Sequence, residues 1–590
     1  STIRFLKKTS KKLVLFQQLQ QILLLLLRSA VIALLVIAFA RPLFNQSVAR
    51  LMDADPQSAV ILLDISMSMQ YGESFMRAKE EALDLLDSLT SGDEVALVAF
   101  SDSAEIVREL NTDIDSVRGV ISELEQAGFG ATRYMPNLRL ADQLLETSRY
   151  ENRAVYLISD FQEGGMQGAD EGWKLAPGVA FTGIDVGEFE SSNLVLTDVR
   201  SPEQLLEDAS EQQILARVRT TGTLYLDRGE VSLSINGQMV DRVPVDLGDR
   251  SEEVIAFTAV FDTEGTHVGE VRVTGDEFDV DNAYFFTVDV LPKIRVLLVN
   301  GEASDNWFDD EGHWFGLAVS STEESPFQLE TIEPVALTSA ALRQNDVAVL
   351  LNVGDLSGSQ ADAITAYVEA GGALLVAPGD RVNPDLFNRQ FEDIAPATLQ
   401  SQDVLGRDDY LVIADFDRRH PILRPLDSDW SARFQGHWSL LPDADADVLM
   451  QFDNTESALV EREVGEGKVI LFASSLDLEW NNLALQGLFL PFVHETLRHL
   501  VQPPVKQRAY QIGDSFSLDQ SGEAETVSAV DSNGDSIDFS NDGYVITAAT
   551  PGLINASVDG ENARFAINIL PAESNFTRTA VATLYDSIIN

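Results

Sequence analysis

AVILLDISMS, residues 59–68, opens with five consecutive apolar residues and closes with three oxygen-bearing side chains, Asp64, Ser66 and Ser68, spaced two apart. An unbroken apolar run of this length is the signature of a strand buried on both faces, as in parallel sheets covered by helices. The following segments repeat the theme. SFMRAKEEALDLLDSL (74–89) places Phe75, Ala78, Ala82, Leu85, Leu86 and Leu89 on one helical side. EVALVAFS (94–101), RAVYLISD (153–160) and GVAFTGIDVG (178–187) read as strands, and 115–127 and 136–149 as helices. Strands alternating with helices predict a doubly covered parallel sheet, whose sites gather at the carboxyl ends of its strands.

Residues 64, 66 and 68 stand at such an end and converge as the chain leaves the strand. One carboxylate and two hydroxyls are hard oxygen donors, suited to Mg²⁺, Mn²⁺ or Ca²⁺. Further oxygens are expected from Thr132 in GFGATRYM and from Asp160 at the end of YLISD. The competing reading has Ser66 and Ser68 capping the next helix while Asp64 accepts hydrogen bonds from loop amides. The whole constellation resembles the von Willebrand factor A domain and its metal-ion-dependent adhesion site. That resemblance implies Asp64, Ser66, Ser68, Thr132 and Asp160 as direct or water-mediated metal ligands, with a partner's carboxylate completing the shell. Many relatives follow the last aspartate with glycine; here Phe161 stands there, so a differently shaped loop is expected.

Outward from this domain, composition sets limits. The 590 residues are enough for about four domains. Zero cysteines exclude disulfides, zinc-thiolate sites, iron–sulfur clusters and thiol nucleophiles. The net charge of −53 argues against general nucleic-acid binding. That charge is uneven: residues 1–41 hold Arg4, Lys7, Lys8, Lys11, Lys12, Arg28 and Arg41 and no acid, so the other residues carry −60. Ile22–Ala40 is a 19-residue apolar run broken only by Arg28, about 28 Å as a helix and close to the thickness of a bilayer core. It predicts a transmembrane helix over 19–41, with 1–18 as a basic cytoplasmic segment and the bulk of the chain outside the cytoplasm by the positive-inside rule.

Residues 56–189 form the first soluble domain on this reading. Residues 190–291 alternate as β strands, with a hairpin turn at Asn236-Gly237, and predict an immunoglobulin-like β-sandwich. A second α/β pattern fills 293–503, with strands at 294–302, 346–354, 373–380 and 467–475, and a mostly apolar helix at 482–501. It resembles the flavodoxin-like, class I glutamine amidotransferase-like fold. In active relatives a cysteine sits on the turn that here reads Ala377-Pro378-Gly379-Asp380, so glutaminase chemistry is excluded. A relay from Ser474 or Ser475 with His494 and Asp477 lacks a G-x-S-x-G elbow, and His494 and His499 on an apolar helix are expected to be packed. A small β domain at 506–571 follows, where Asp531–Asp535 is expected to turn a hairpin at Asn533-Gly534 and not to hold calcium. The tail, 572–590, shows no core role and is expected to lead toward a further membrane segment.

The order of parts, from RFLKKTSKK through the apolar run to the successive domains, resembles the BatA-type (aerotolerance-regulator-like) bacterial membrane proteins. In that family the basic stretch follows a first transmembrane helix, which would explain a chain beginning at Ser1. The resemblance implies a periplasm-facing, non-enzymatic assembly factor of the inner membrane, associated with a MoxR-type AAA+ ATPase and with other membrane subunits. Two alternatives stand beside it: an envelope hydrolase using 294–501, and a passive structural subunit.

Overall fold

The computed structural model describes residues 27–29 and 55–589, apart from 91, 125, 168–171, 207–210, 305, 321–324, 407–408, 427–429, 502–505, 520–521, 523 and 541–542. The transmembrane segment expected over 19–41 lies outside the described residues except for Leu27–Ser29, and the basic segment 1–18 lies outside them entirely. Among the described residues no helix is long and apolar enough to cross a membrane. The described chain is a mixed α/β multidomain protein that divides into two compact units, residues 1–188 with 578–590, and residues 189–577.

The first unit is built on strands β1 (Gln57–Asp64), β2 (Glu94–Phe100), β3 (Ala104–Asn111), β4 (Asn152–Ser159) and β5 (Val179–Asp185), in the order β3-β2-β1-β4-β5. All pairings are parallel except that of β3 with β2. Alternation along β1 divides its side chains between two cores. Val60 and Leu62 pack with the helix Tyr134–Glu146, while Ala59, Ile61 and Leu63 pack with the helices Ser74–Ser88 and Ile114–Glu123. The sequence pattern missed β3, and the reason is burial: this antiparallel edge strand is almost wholly solvent-facing, so it carries no apolar signature.

The tail departs from expectation. Residues Val581–Ile588 form a helix whose Leu584 and Ile588 are fully buried in the core beneath β4 and β5. The stretch thought to lack a core role therefore completes the hydrophobic packing of the first unit.

In the second unit, β6 (Ser192–Arg200), β8 (Glu211–Gly222) and β11 (Glu252–Val260) form one sheet. β7 (Gln204–Leu206), β9 (Arg228–Ile235), β10 (Gln238–Asp246), β12 (Gly265–Thr274) and β13 (Ala283–Leu291) form another. The two sheets share one apolar core. Asn236 and Gly237 both adopt positive φ, 51° and 76°, as a two-residue turn between β9 and β10 requires.

Next comes an eight-stranded sheet built from β14 (Ile294–Asn300), β15 (Phe327–Ile332), β16 (Val347–Leu351), β17 (Ala373–Ala377), β19 (Ile413–Phe416), β21 (Asp447–Phe452), β22 (Ser457–Val464) and β23 (Gly467–Phe472). Its order is β15-β14-β16-β17-β23-β22-β21-β19, and the first five strands are parallel, a doubly wound 2-1-3-4-5 arrangement. β18 (Ala397–Val404) and β20 (Gly436–Pro442) pair separately. After residue 508 a four-stranded and a two-stranded sheet follow. There Asp531 accepts from the amides of Asn533 and Asp535, closing the hairpin turn with Gly534 at φ 90°.

Deleting the buried bulk of Leu584 leaves a cavity, so Leu584→Ala should lower the unfolding free energy of the first unit by about 2–4 kcal/mol. Chemical denaturation followed by the near-ultraviolet signal of Trp173, packed at that core's margin, checks this; an unchanged midpoint would show the helix to be dispensable.

Candidate functional site

Parallel register sets the site. Leu63 of β1 lies opposite Ile158 of β4, so Asp64 and Ser159 leave the sheet side by side at its carboxyl rim. Ser66 then begins a short 3₁₀ turn, Met67–Gln70, but its hydroxyl makes no capping bond. It is turned inward, where it accepts from Thr132 Oγ1 at 2.9 Å and lies 3.2 Å from Ser68 Oγ. Asp64 Oδ1 accepts from the Ser66 amide at 2.9 Å, and Asp64 Oδ2 from the Ser159 hydroxyl at 2.6 Å. Ser68 donates to Asp160, and Ser159 Oγ is 3.4 Å from Asp160 Oδ1. The five residues singled out in the sequence, Asp64, Ser66, Ser68, Thr132 and Asp160, thus stand in one ring of oxygens, all buried. The capping alternative for Ser66 is not realised.

Burial is the main cause of the ring's electrostatics. Desolvation, then the neighbouring Asp160, raise the Asp64 carboxyl from 3.8 to about 7; desolvation also raises Asp160. Two carboxylates at one buried point repel each other unless a proton or a cation sits between them. The donor set fits a hard divalent cation. Around an ion bound at 2.0–2.1 Å in octahedral geometry, adjacent oxygens stand about 2.9 Å apart, and the Thr132–Ser66 and Ser66–Ser68 separations are 2.9 and 3.2 Å.

Two residues escaped the sequence reading. Ser159 spans both carboxylates, yet as the last residue of a buried strand it looks like packing. Arg578 comes from the tail: its Nε donates to the Asp160 carbonyl at 2.9 Å, Nη1 to the Glu188 carbonyl at 3.1 Å, and Nη2 pairs with Asp185. Thr579 N–H also donates to the Phe161 carbonyl at 2.8 Å. No local signal links residues separated by more than four hundred positions. Phe161 itself takes the left-handed backbone, φ 55°, that glycine would adopt freely. The strain, about 1–2 kcal/mol, is offset by full burial of its ring, 5.9 Å from that of Tyr134. The loop is therefore kept in a glycine-like turn by packing.

Elsewhere the serine relay is not assembled. Ser474 Oγ donates to the Gly436 carbonyl, Ser475 Oγ to Asp477, and His494 Nε2 faces the Ala318 carbonyl at 2.8 Å.

Residues 59–163 match the von Willebrand factor type A domain. The first unit therefore contains a von Willebrand factor A-like domain, a class that mediates protein–protein interaction and commonly binds a divalent metal at its adhesion site. Among curated proteins no relative matches the chain. Solved structures overlap parts of it. A cytoplasmic protein of Salmonella typhimurium is 15% identical, covering 36% of this chain and 100% of its own, with a TM-score of 0.30. The CARDB domain of a Pyrococcus furiosus protein, described in complex with di-metal ions, is 21% identical, covering 18% and 96%, with a TM-score of 0.16. The β-galactosidase of Rahnella sp. R3 is 13% identical, covering 36% and 32%, with a TM-score of 0.27. Scores this low carry no weight for function.

A raised carboxyl pKa means that the folded chain retains a proton that the unfolded chain has released. In metal-free protein the Asp64 contribution to stability is thus greatest below about pH 4 and is lost as pH rises to about 7. Urea unfolding across that range should show wild type losing stability relative to Asp64→Asn as pH rises; a pH-independent difference would contradict the buried-pair account.

Proposed function

We propose that this chain is a membrane-anchored, non-enzymatic scaffold or assembly factor of the bacterial inner membrane, with most of its length on the extracytoplasmic, periplasmic side. It grips protein partners through a divalent cation, Mg²⁺ or alternatively Ca²⁺ or Mn²⁺, held by Asp64, Ser66, Ser68, Thr132 and Asp160. The observation that carries this reading is the ring of hydroxyls closed around two buried carboxylates at the rim of a von Willebrand factor A-like sheet. A cation bound there supplies an electrophilic position to which an acidic side chain of a partner adds its oxygen. The chain's own part is to hold the hydroxyls inward, to keep Asp160 in place through Phe161 and the tail, and to exclude bulk water from the carboxylate pair.

Membrane anchoring is supported by the apolar run Ile22–Ala40 behind a basic flank, and by the strongly acidic remainder. The doubly wound strand order of the 293–503 region and its cysteine-free Ala377-Pro378-Gly379-Asp380 turn support a catalytically silent amidotransferase-like module. The order of parts supports a BatA-type role beside a MoxR-type AAA+ ATPase and other membrane subunits. Contact with a cytoplasmic ATPase would run through residues 1–18, the membrane segments or a second membrane protein.

The experiment is purification from native membranes in mild detergent, with co-eluting proteins identified with and without EDTA. Partners should be lost on chelation and regained with Mg²⁺, and Asp64→Ala should lose them at least tenfold while folding normally. Retention of the same partners at the same affinity by Asp64→Ala would overturn the metal-grip reading.

A further inference from the structure

The second unit contains a cluster that the function proposed above does not use. Glu461, in the middle of β22, points a carboxylate from a strand whose neighbouring residues Ala458, Leu459 and Val460 are fully buried. Its Oε1 lies 2.7 Å from Nε2 of His499, in the last turn of the helix Phe489–Val501. Its Oε2 lies 2.9 Å from Nε2 of His420, in the turn after β19, where His420 N–H is held by the Asp417 carbonyl at 3.1 Å. The two imidazoles meet edge to face with centroids 4.6 Å apart, so both Nε2 atoms converge on one carboxylate. One donor atom from each of the three residues falls within 4.8 Å of the other two. The side chains are only 13%, 9% and 13% exposed for His420, Glu461 and His499, so the cluster is largely shielded from water.

We propose that His420, Glu461 and His499 form a binding site for a zinc-class divalent cation, separate in position and in chemistry from the oxygen ring of the first unit. Two imidazole nitrogens and one carboxylate are a borderline-soft set that favours Zn²⁺ or Co²⁺ over Mg²⁺. Three protein donors leave a fourth position for water. Without metal, each ring donates an Nε2–H to Glu461. Loading needs a lone pair at Nε2 instead, so each metal-bound ring carries its proton on Nδ1. At His420 this gives up the long 3.4 Å approach of the Ile422 amide to Nδ1, the weakest contact of the cluster. Ligands at 2.0–2.1 Å in a tetrahedron lie about 3.3 Å apart, and the three donor atoms already lie within 4.8 Å of one another, so loading asks for side-chain adjustment. The ion would tie the β19 turn, β22 and the end of the long helix together. The other His–carboxylate group, Asp403, His437 and Glu456, is a poorer candidate because Glu456 is already engaged by Ser439 and Asn454.

The test uses the full chain, stripped of metal and held in millimolar Mg²⁺ so that the oxygen ring is occupied. Titration with Zn²⁺ alone should bind one tight equivalent, and Co²⁺ should give visible d–d bands of low-coordinate nitrogen–oxygen ligation. Glu461→Gln and the double variant His420→Asn/His499→Asn, each verified as folded by circular dichroism, should weaken that equivalent at least a hundredfold and lose the Co²⁺ bands. Asp64→Ala should keep both. The proposal is overturned if wild type takes up no more Zn²⁺ than the folded variants, or if the Co²⁺ bands disappear with Asp64→Ala and persist in the histidine variants.

Discussion

Two carboxylates buried at one rim of a sheet are the constraint from which the rest of the first unit follows. Asp64 and Asp160 are each removed from water, and burial disfavours their charged forms. Such a pair persists only where its lone pairs are satisfied and its charge can be balanced. The hydroxyls of Ser66, Ser68 and Ser159 and the amide of Ser66 meet the first need, with Thr132 donating to the Ser66 hydroxyl. The divalent cation proposed above would meet the second. Parallel pairing of β1 with β4 makes the arrangement possible, because it brings two strand ends to the same level.

The positioning of Asp160 extends further than its strand. Phe161 holds a left-handed turn that its backbone alone would resist, and its buried ring keeps it there. From the other side the tail clasps the same loop, through Arg578 on the Asp160 carbonyl and Thr579 on that of Phe161. The tail is in turn fastened by Leu584 and Ile588 in the core. Hydrophobic packing at the far end of the chain thereby sets the position of a polar group at the site.

In the second unit the polar groups are used differently. Ser474, Ser475 and His494 are spent on structural hydrogen bonds. His499 is not simply a packed helix residue: it joins His420 across a shared carboxylate. Its apolar helix gave no hint of this, since both of its partners lie on segments distant in sequence. Elements with strong periodicity were legible, as with the helix expected at 74–89 and observed at Ser74–Ser88. The exposed edge strand β3 was not, because a strand that buries little leaves no apolar pattern.

By itself the sequence determined the alternation of buried strands and amphipathic helices, the absence of thiol chemistry, and the presence of Asp64, Ser66, Ser68, Thr132 and Asp160 at strand ends or in an adjoining loop. These are local properties, written in periodicity and residue type. Only the tertiary structure decided that Ser159 spans the two carboxylates, that Phe161 holds a left-handed turn with its ring buried, and that the helix Val581–Ile588 belongs to the first unit. The physical reason is that such contacts depend on register and on long-range packing: Arg578 reaches Asp160 across more than four hundred residues, and no pattern within a single segment encodes which distant surface will cover it.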